Sequence, residues 1–218
     1  MIRQKPFVTY VLLAIMVLVF GVMTLSGGTQ NPLVLVQFGA KYNPLIVEGQ
    51  YWRFITPIFI HIGFTHILMN GITLYFIGQY VEKIFGHTRF LIIFLLSGVV
   101  GNFASFAFSD GISAGASTAI FGLFGAFLML GESFQDNPMI VSLARTFLLF
   151  IVLNIAMDLF VSGIDIAGHI GGLVAGFLSA YIVGVNFGKV ASIKRIISGI
   201  MLLFVAGAIL YLGFSKNM

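Results

Sequence analysis

The 218-residue sequence contains no cysteine. Disulfides, a thiolate nucleophile and any cysteine-based metal site are therefore excluded. Charge is scarce too: 8% of residues are Asp, Glu, Lys or Arg, against about a quarter in an ordinary soluble domain. Only seven residues are acidic, and the His-Glu-x-x-His zinc motif is missing. No internal repeat of the transporter kind is evident. The chain is instead 59% hydrophobic, with a mean hydropathy of +1.08. This is the composition of an integral membrane protein, with no room for a separate soluble module. The net charge of +4 follows from membrane topology and does not call for a nucleic-acid partner.

A spanning helix needs roughly 20 mostly apolar residues. The first such run is 7–25, which is too long for a secretory signal and lacks a small-residue cleavage site, so it is expected to be an uncleaved anchor. The stretch 26–53 is mixed, with Gly27-Gly28, Asn31-Pro32 and Asn43-Pro44 as turn signals. Further spans are expected at about 55–80, 90–108, 116–130, 146–161, 166–187 and 196–214. The fold class is thus an all-α polytopic membrane protein of about seven transmembrane helices. With the N-terminus inside, eight basic residues (Arg3, Lys5, Lys83, Arg89, Arg145, Lys189, Lys194, Arg195) fall on the inner side. Three (Lys41, Arg53, Lys216) fall on the outer side. That bias predicts the N-terminus inside and the C-terminus outside.

Polar groups within a span are expensive and mark function by default. Spans two, four and six share one direction, and their polar residues lie near their outer starts: His61, His66 and Asn70, then Ser117, then His169. Gly168, Gly172, Ala175, Gly176 and Ser179 form a small-residue stripe on span six, while Gly115, Gly122 and Gly125 thin span four. Small residues at such spacings let membrane helices approach closely, which would bring a hydroxyl and an imidazole together as a base-activated nucleophile. Three histidines raise a metal site as an alternative, but the spacing of His61 and His66 puts them about 140° apart on a helix at 100° per residue.

Several strings then carry a resemblance. Trp52-Arg53, His61-Ile62-Gly63-Phe64-Thr65-His66-Ile67-Leu68-Met69-Asn70, Val81-Glu82-Lys83, Gly115-Ala116-Ser117 and Gly168-His169-Ile170-Gly171-Gly172 occur in this order, each on the appropriate span. Together they resemble the rhomboid intramembrane serine proteases over about residues 38–187. The resemblance implies one rhomboid membrane domain over 1–218, with a core of about 7–187 and an appended seventh helix at about 196–214.

The resemblance also assigns roles. Ser117 matches the nucleophile and His169 the general base. His66 and Asn70 match side chains that stabilise the oxyanion with the Ser117 backbone N–H, and Gly115 matches the motif glycine. Phe121 matches an aromatic that packs on the base, usually tyrosine. Gly172 supports the close helix approach, Trp52 and Arg53 match structural residues of the first outer loop, and Glu82 matches a structural carboxylate at the inner end of span two. Thr118 departs from the usual Gly-x-Ser-Gly, adding a β-branched side chain while keeping its backbone N–H.

The implied activity is cleavage of other proteins' transmembrane segments near the outer face, with substrate reaching the site between spans two and five. The alternative is an inactive relative that binds such segments. No acidic residue is an obvious third member: Asp165 lies towards the outer loop and Asp158 on span five. The sequence therefore predicts a Ser-His dyad, with the histidine oriented by packing and the Phe121 ring. Membrane-protein substrates and the bilayer are the expected partners. No cofactor, metal or nucleic acid is expected, and the location is a cell membrane, that of bacteria by resemblance.

Overall fold

The computed structural model describes residues 5–161 and 163–218. Helix α1 spans Phe7–Leu25, as the uncharged run predicts. Two short helices follow, α2 (Pro32–Phe38) and α3 (Asn43–Val47), each with a proline among its first two residues, where the missing N–H is no loss. Two 3-10 turns occupy Tyr51–Phe54 and Thr56–Phe59. Helix α4 (Gly63–Thr73) runs through a π segment (Leu74–Gly78) into α5 (Gln79–Phe85). Then come α6 (His87–Phe108), α7 (Ser117–Ser133), α8 (Pro138–Asp158), α9 (Ile166–Val183) and α10 (Ser192–Asn217).

Five of these helices (α1, α6, α8, α9, α10) are long and apolar enough to cross a membrane. The shorter apolar α7 and the continuous α4–α5 run complete seven spans. Among the described residues there is no β-strand, only an isolated antiparallel bridge between Lys41 and Ser113. The chain is a multi-pass integral membrane protein.

The structure corrects three expected boundaries. The second span begins at Gly63 and not near 55, because Pro57 and its neighbours wind into 3-10 turns. His61 therefore stands ahead of the helix. The fifth span begins at Pro138, eight residues before the expected start; the Asn137 side chain caps it by accepting from the N–H groups of Met139 and Ile140. Arg145, expected in a loop, is an exposed residue within that helix. The sixth span ends at Val183, where Gly184 terminates it.

α6, α7 and α9 form the buried centre, while α1, α8 and α10 are mostly exposed and peripheral. The central helices meet backbone to backbone. A Cβ built on Gly172 would lie 2.0 Å from the Thr118 carbonyl oxygen, and one on Gly125 would lie 2.2 Å from that of Leu173. Only glycine permits these distances.

Glu82 fixes the peripheral α1. Its Oε1 accepts from the Val8 N–H at 2.8 Å, and its Oε2 accepts from the Thr9 N–H at 2.7 Å and the Thr9 hydroxyl at 2.6 Å. A carboxylate thus satisfies the orphan donors at the positive end of α1, and His87 Nδ1 closes on the same group. Glu82→Gln keeps the shape but removes the charge and an acceptor oxygen. It is expected to lower the melting temperature by about 3 to 10 °C, as the loss of one to three kcal/mol of charged hydrogen bonding implies for a chain of this size. An unchanged melting temperature would count against this clasp.

On the other side of the bundle, the buried Lys41 ties loops together. Its Nζ donates to the carbonyls of Ser109 (2.7 Å) and Gly111 (2.8 Å). Burial pushes this ammonium down to about 8, against the pull of Asp165 and Asp110. Arg53 is buried too, its Nη1 donating to the carbonyls of Val36 and Ala40. The Trp52 side chain is half exposed; its carbonyl accepts from the Thr56 hydroxyl.

Candidate active site

Ser117 is the first residue of α7. The segment before it is held from both sides: the Gly115 N–H donates to the Pro57 carbonyl at 2.9 Å, and the Ala116 N–H donates to His61 Nε2 at 3.3 Å. Gly115 turns the chain at φ +134, a conformation that side chains resist. A Cβ there would also lie 2.7 Å from both Cε1 and Nε2 of His66. The first helical hydrogen bond of α7 is from the Ile120 N–H to the Ala116 carbonyl. The amides of Ser117, Thr118 and Ala119 therefore have no intrahelical acceptor and lie at the positive end of the helix.

His169 occupies the first turn of α9. Asp165 caps that helix, its Oδ1 accepting from the Gly168 N–H at 3.0 Å and its Oδ2 from the Ser113 hydroxyl at 2.8 Å. The loop before α7 and the start of α9 are thus joined, and Ser117 Oγ lies 2.9 Å from His169 Nε2. The Phe121 ring stacks on the imidazole, with centroids 4.3 Å apart and an interplanar angle of 11°.

Thr118, the departure from the expected motif, fits because its neighbours are glycines. A Cβ on Gly101 would lie 2.7 Å from the Thr118 Cβ, and one on Gly168 would lie 3.0 Å from its Cγ2. The β-branched side chain fills space that those residues leave open.

His66 sits against Gly115. Its Nδ1 accepts a long hydrogen bond (3.4 Å) from the Ile62 N–H, which assigns the proton to Nε2 on the side facing Gly115. Asn70 is buried, its Nδ2 donating to the His66 carbonyl at 3.1 Å. The structure brings Asn70, but not His66, to the wall of a cavity of about 450 Å³ shared with Ser117 and His169. The other walls include Phe76 of the π segment, Phe124 of α7, and Phe150 and Asn154 of α8. The cavity therefore lies between the second and fifth spans.

His61 and His66 do not point apart. Because His61 precedes the helix, its ring meets that of His66 edge to face at 5.2 Å. Its Nδ1 is buried without a hydrogen-bond partner among the described residues. Gly172 serves the α7–α9 crossing, and Glu82, Trp52 and Arg53 lie away from the cavity wall.

The sequence predicts no third member, but the structure places an acid against the base. Asp158, the last residue of α8, places Oδ2 2.8 Å from His169 Nδ1, and both residues are buried. The available signal is the lone acid at the end of a mostly apolar helix. The end of α8 meets the first turn of α9 there, eleven residues apart in sequence. The imidazole is thus flanked by a carboxylate as well as by the Phe121 ring.

A family model described as the Rhomboid domain matches residues 48–186. Rhomboid protease GluP of Bacillus subtilis is 40% identical over 213 residues, which is 96% of this chain and 41% of that protein. Rhomboid-like protease 2 of Toxoplasma gondii is 40% identical over 154 residues, 67% of this chain and 53% of that one. RHOMBOID-like protein 5 of Arabidopsis thaliana is 36% identical over 154 residues, 68% of this chain and 49% of its own length. The chain spans less than two thirds of the length of each of these three relatives.

Proposed function

The chain belongs to the rhomboid family, and from that premise we propose that it is an intramembrane serine endopeptidase acting through Ser117 and His169. The observation that carries this reading is the 2.9 Å contact between Ser117 Oγ and His169 Nε2. Ser117 Oγ attacks the scissile carbonyl as His169 Nε2 takes its proton. Negative charge develops on the former carbonyl oxygen, facing the free Ser117 amide and the Asn70 amide. Collapse breaks the C–N bond, and the imidazolium gives its proton to the leaving amine. Water, activated by the same imidazole, then releases the acyl group and restores the hydroxyl.

We assign the substrate as a transmembrane segment of another protein, reaching the site through the cavity between α4 and α8. With the N-terminus inside, the starts of α4, α7 and α9 face outward, so cleavage falls near the outer end of the substrate span. The described residues then act as one membrane domain.

The test is a fluorophosphonate reaction on the chain reconstituted in bilayers, combined with mass-spectrometric mapping of products from single-span proteins. The expected result is one adduct, on Ser117, and cleavage in the outer third of the substrate span. Cleavage that proceeds unchanged after full labelling, or labelling confined to another residue, would overturn the assignment. An unreactive Ser117 with no products, but with retained binding of single-span proteins, would favour a non-catalytic binding role.

A further inference from the structure

We propose that Asp158 is a positioning residue for this site: its carboxylate holds His169 with the proton on Nδ1, so that the Nε2 lone pair faces Ser117. The inference rests on the serine-protease reading of the same site and deepens it. A neutral imidazole has two tautomers, and only the one with a free Nε2 lone pair can accept the Ser117 proton. An ionised carboxylate only accepts hydrogen bonds. Its Oδ2, 2.8 Å from Nδ1, therefore selects the Nδ1–H form.

The environment makes this selection matter. The His169 and Asp158 side chains are 9% and 10% exposed. A buried carboxylate without a partner is costly, and Nδ1–H is the side-chain donor that it has. When Nε2 takes the serine proton, the imidazolium forms between Asp158 and the Phe121 ring, with its new charge beside a carboxylate in a low-dielectric setting.

The other nearby acid does not compete. Asp165 is occupied by the Gly168 N–H and the Ser113 hydroxyl. The two acids thus divide the work: Asp165 sets the start of α9, and Asp158 sets the ring on it. A purely structural role for Asp158, tethering α8 to α9, makes different predictions. It moves stability, not the tautomer.

The experiment uses the full chain in bilayer nanodiscs, with kcat and KM measured separately on a single-span substrate. Asp158→Asn keeps the size but offers an amide that can donate to Nδ1 and so trap the proton on Nε2. The expected result is a kcat lowered by about 10² to 10⁴, a KM within about threefold of the original, and a melting temperature nearly unchanged. The ¹⁵N spectrum of ring-labelled protein, with His169 assigned by its loss in His169→Gln, is expected to show the proton on Nδ1 in the original chain and on Nε2 in the variant.

A kcat within threefold of the original overturns the proposal. So does a lowered kcat with the proton still on Nδ1. Should Asp158→Asn fail to fold, the spectrum of the unmodified chain decides alone: a proton on Nε2 there refutes the assignment. Ser117→Ala in the same assay separates the two levels. Cleavage by that variant at the original rate would defeat the protease reading itself, whatever the tautomer of His169.

Discussion

Alanine at Ser117, at His169 or at both is expected to lower cleavage of a single-span substrate by one common factor, on the order of 10⁴ or more. The two groups act as a unit. A hydroxyl without its base is a poor nucleophile, and a base without its hydroxyl has nothing to activate. The double variant should therefore be no slower than either single one, and what remains reflects the oxyanion donors and binding alone. The three proteins should nonetheless differ in stability. Ser117 is small and partly exposed, so its loss leaves α7 intact. Removing His169 takes the ring from its stack on Phe121 and leaves the buried Asp158 unpaired, a cost of a few kcal/mol. Single-turnover cleavage measured beside thermal melts separates the effects. Additive losses, with the double variant far slower than either single one, would show that Ser117 and His169 do not share a step.

The second large effect is expected at a position that never touches substrate. A Cβ on Gly176 would lie 2.0 Å from the Gly122 carbonyl oxygen and 2.3 Å from its Cα. These are backbone atoms, so relief requires α7 and α9 to separate. Alanine in a helix interior gains about 1 kcal/mol over glycine, whereas overpacking costs about 1 to 3 kcal/mol or more; at 2.0 Å the clash wins. Gly176→Ala should therefore melt several degrees lower, and Gly176→Leu should fail to accumulate as folded protein. In Gly176→Ala the separation also lengthens the Ser117–His169 contact, so fluorophosphonate labelling should slow. Gly199 and Gly207, on the peripheral α10, have nothing within 4 Å of such a Cβ. Alanine there should be neutral or slightly stabilising. Equal behaviour of Gly176→Ala and Gly199→Ala in melting and labelling would refute this account of the crossing.

What the sequence disclosed follows the reach of each physical signal. An uncharged apolar run is a local property, and α1 matches its expected limits of 7–25. The small-residue stripe is also local in sequence, and it marks the crossing that joins the first turns of α7 and α9. Boundaries set by chain turns were harder to read. Asn137-Pro138 is a start signal for α8, but the polar Arg145 beyond it masks the apolar run. Contacts across a turn leave no trace in spacing. Asp158 reaches His169 only because α8 and α9 fold back on each other. The carboxylate of Glu82 was assigned a structural place only through resemblance, and its partners lie over 70 residues earlier. Thr118 was an oddity of the motif until Gly101 and Gly168 appeared beside it.

The parts of the site also have an order of manufacture. Ser117 leaves the ribosome 52 residues before the imidazole that meets it, and Asp158 falls between them. Through that interval the chain holds a hydroxyl with no base. On the proposed chemistry, the nascent protein is silent while its early spans enter the bilayer, and it gains reactivity only when α9 docks against α7. On that proposal, helix assembly itself completes the reactive site.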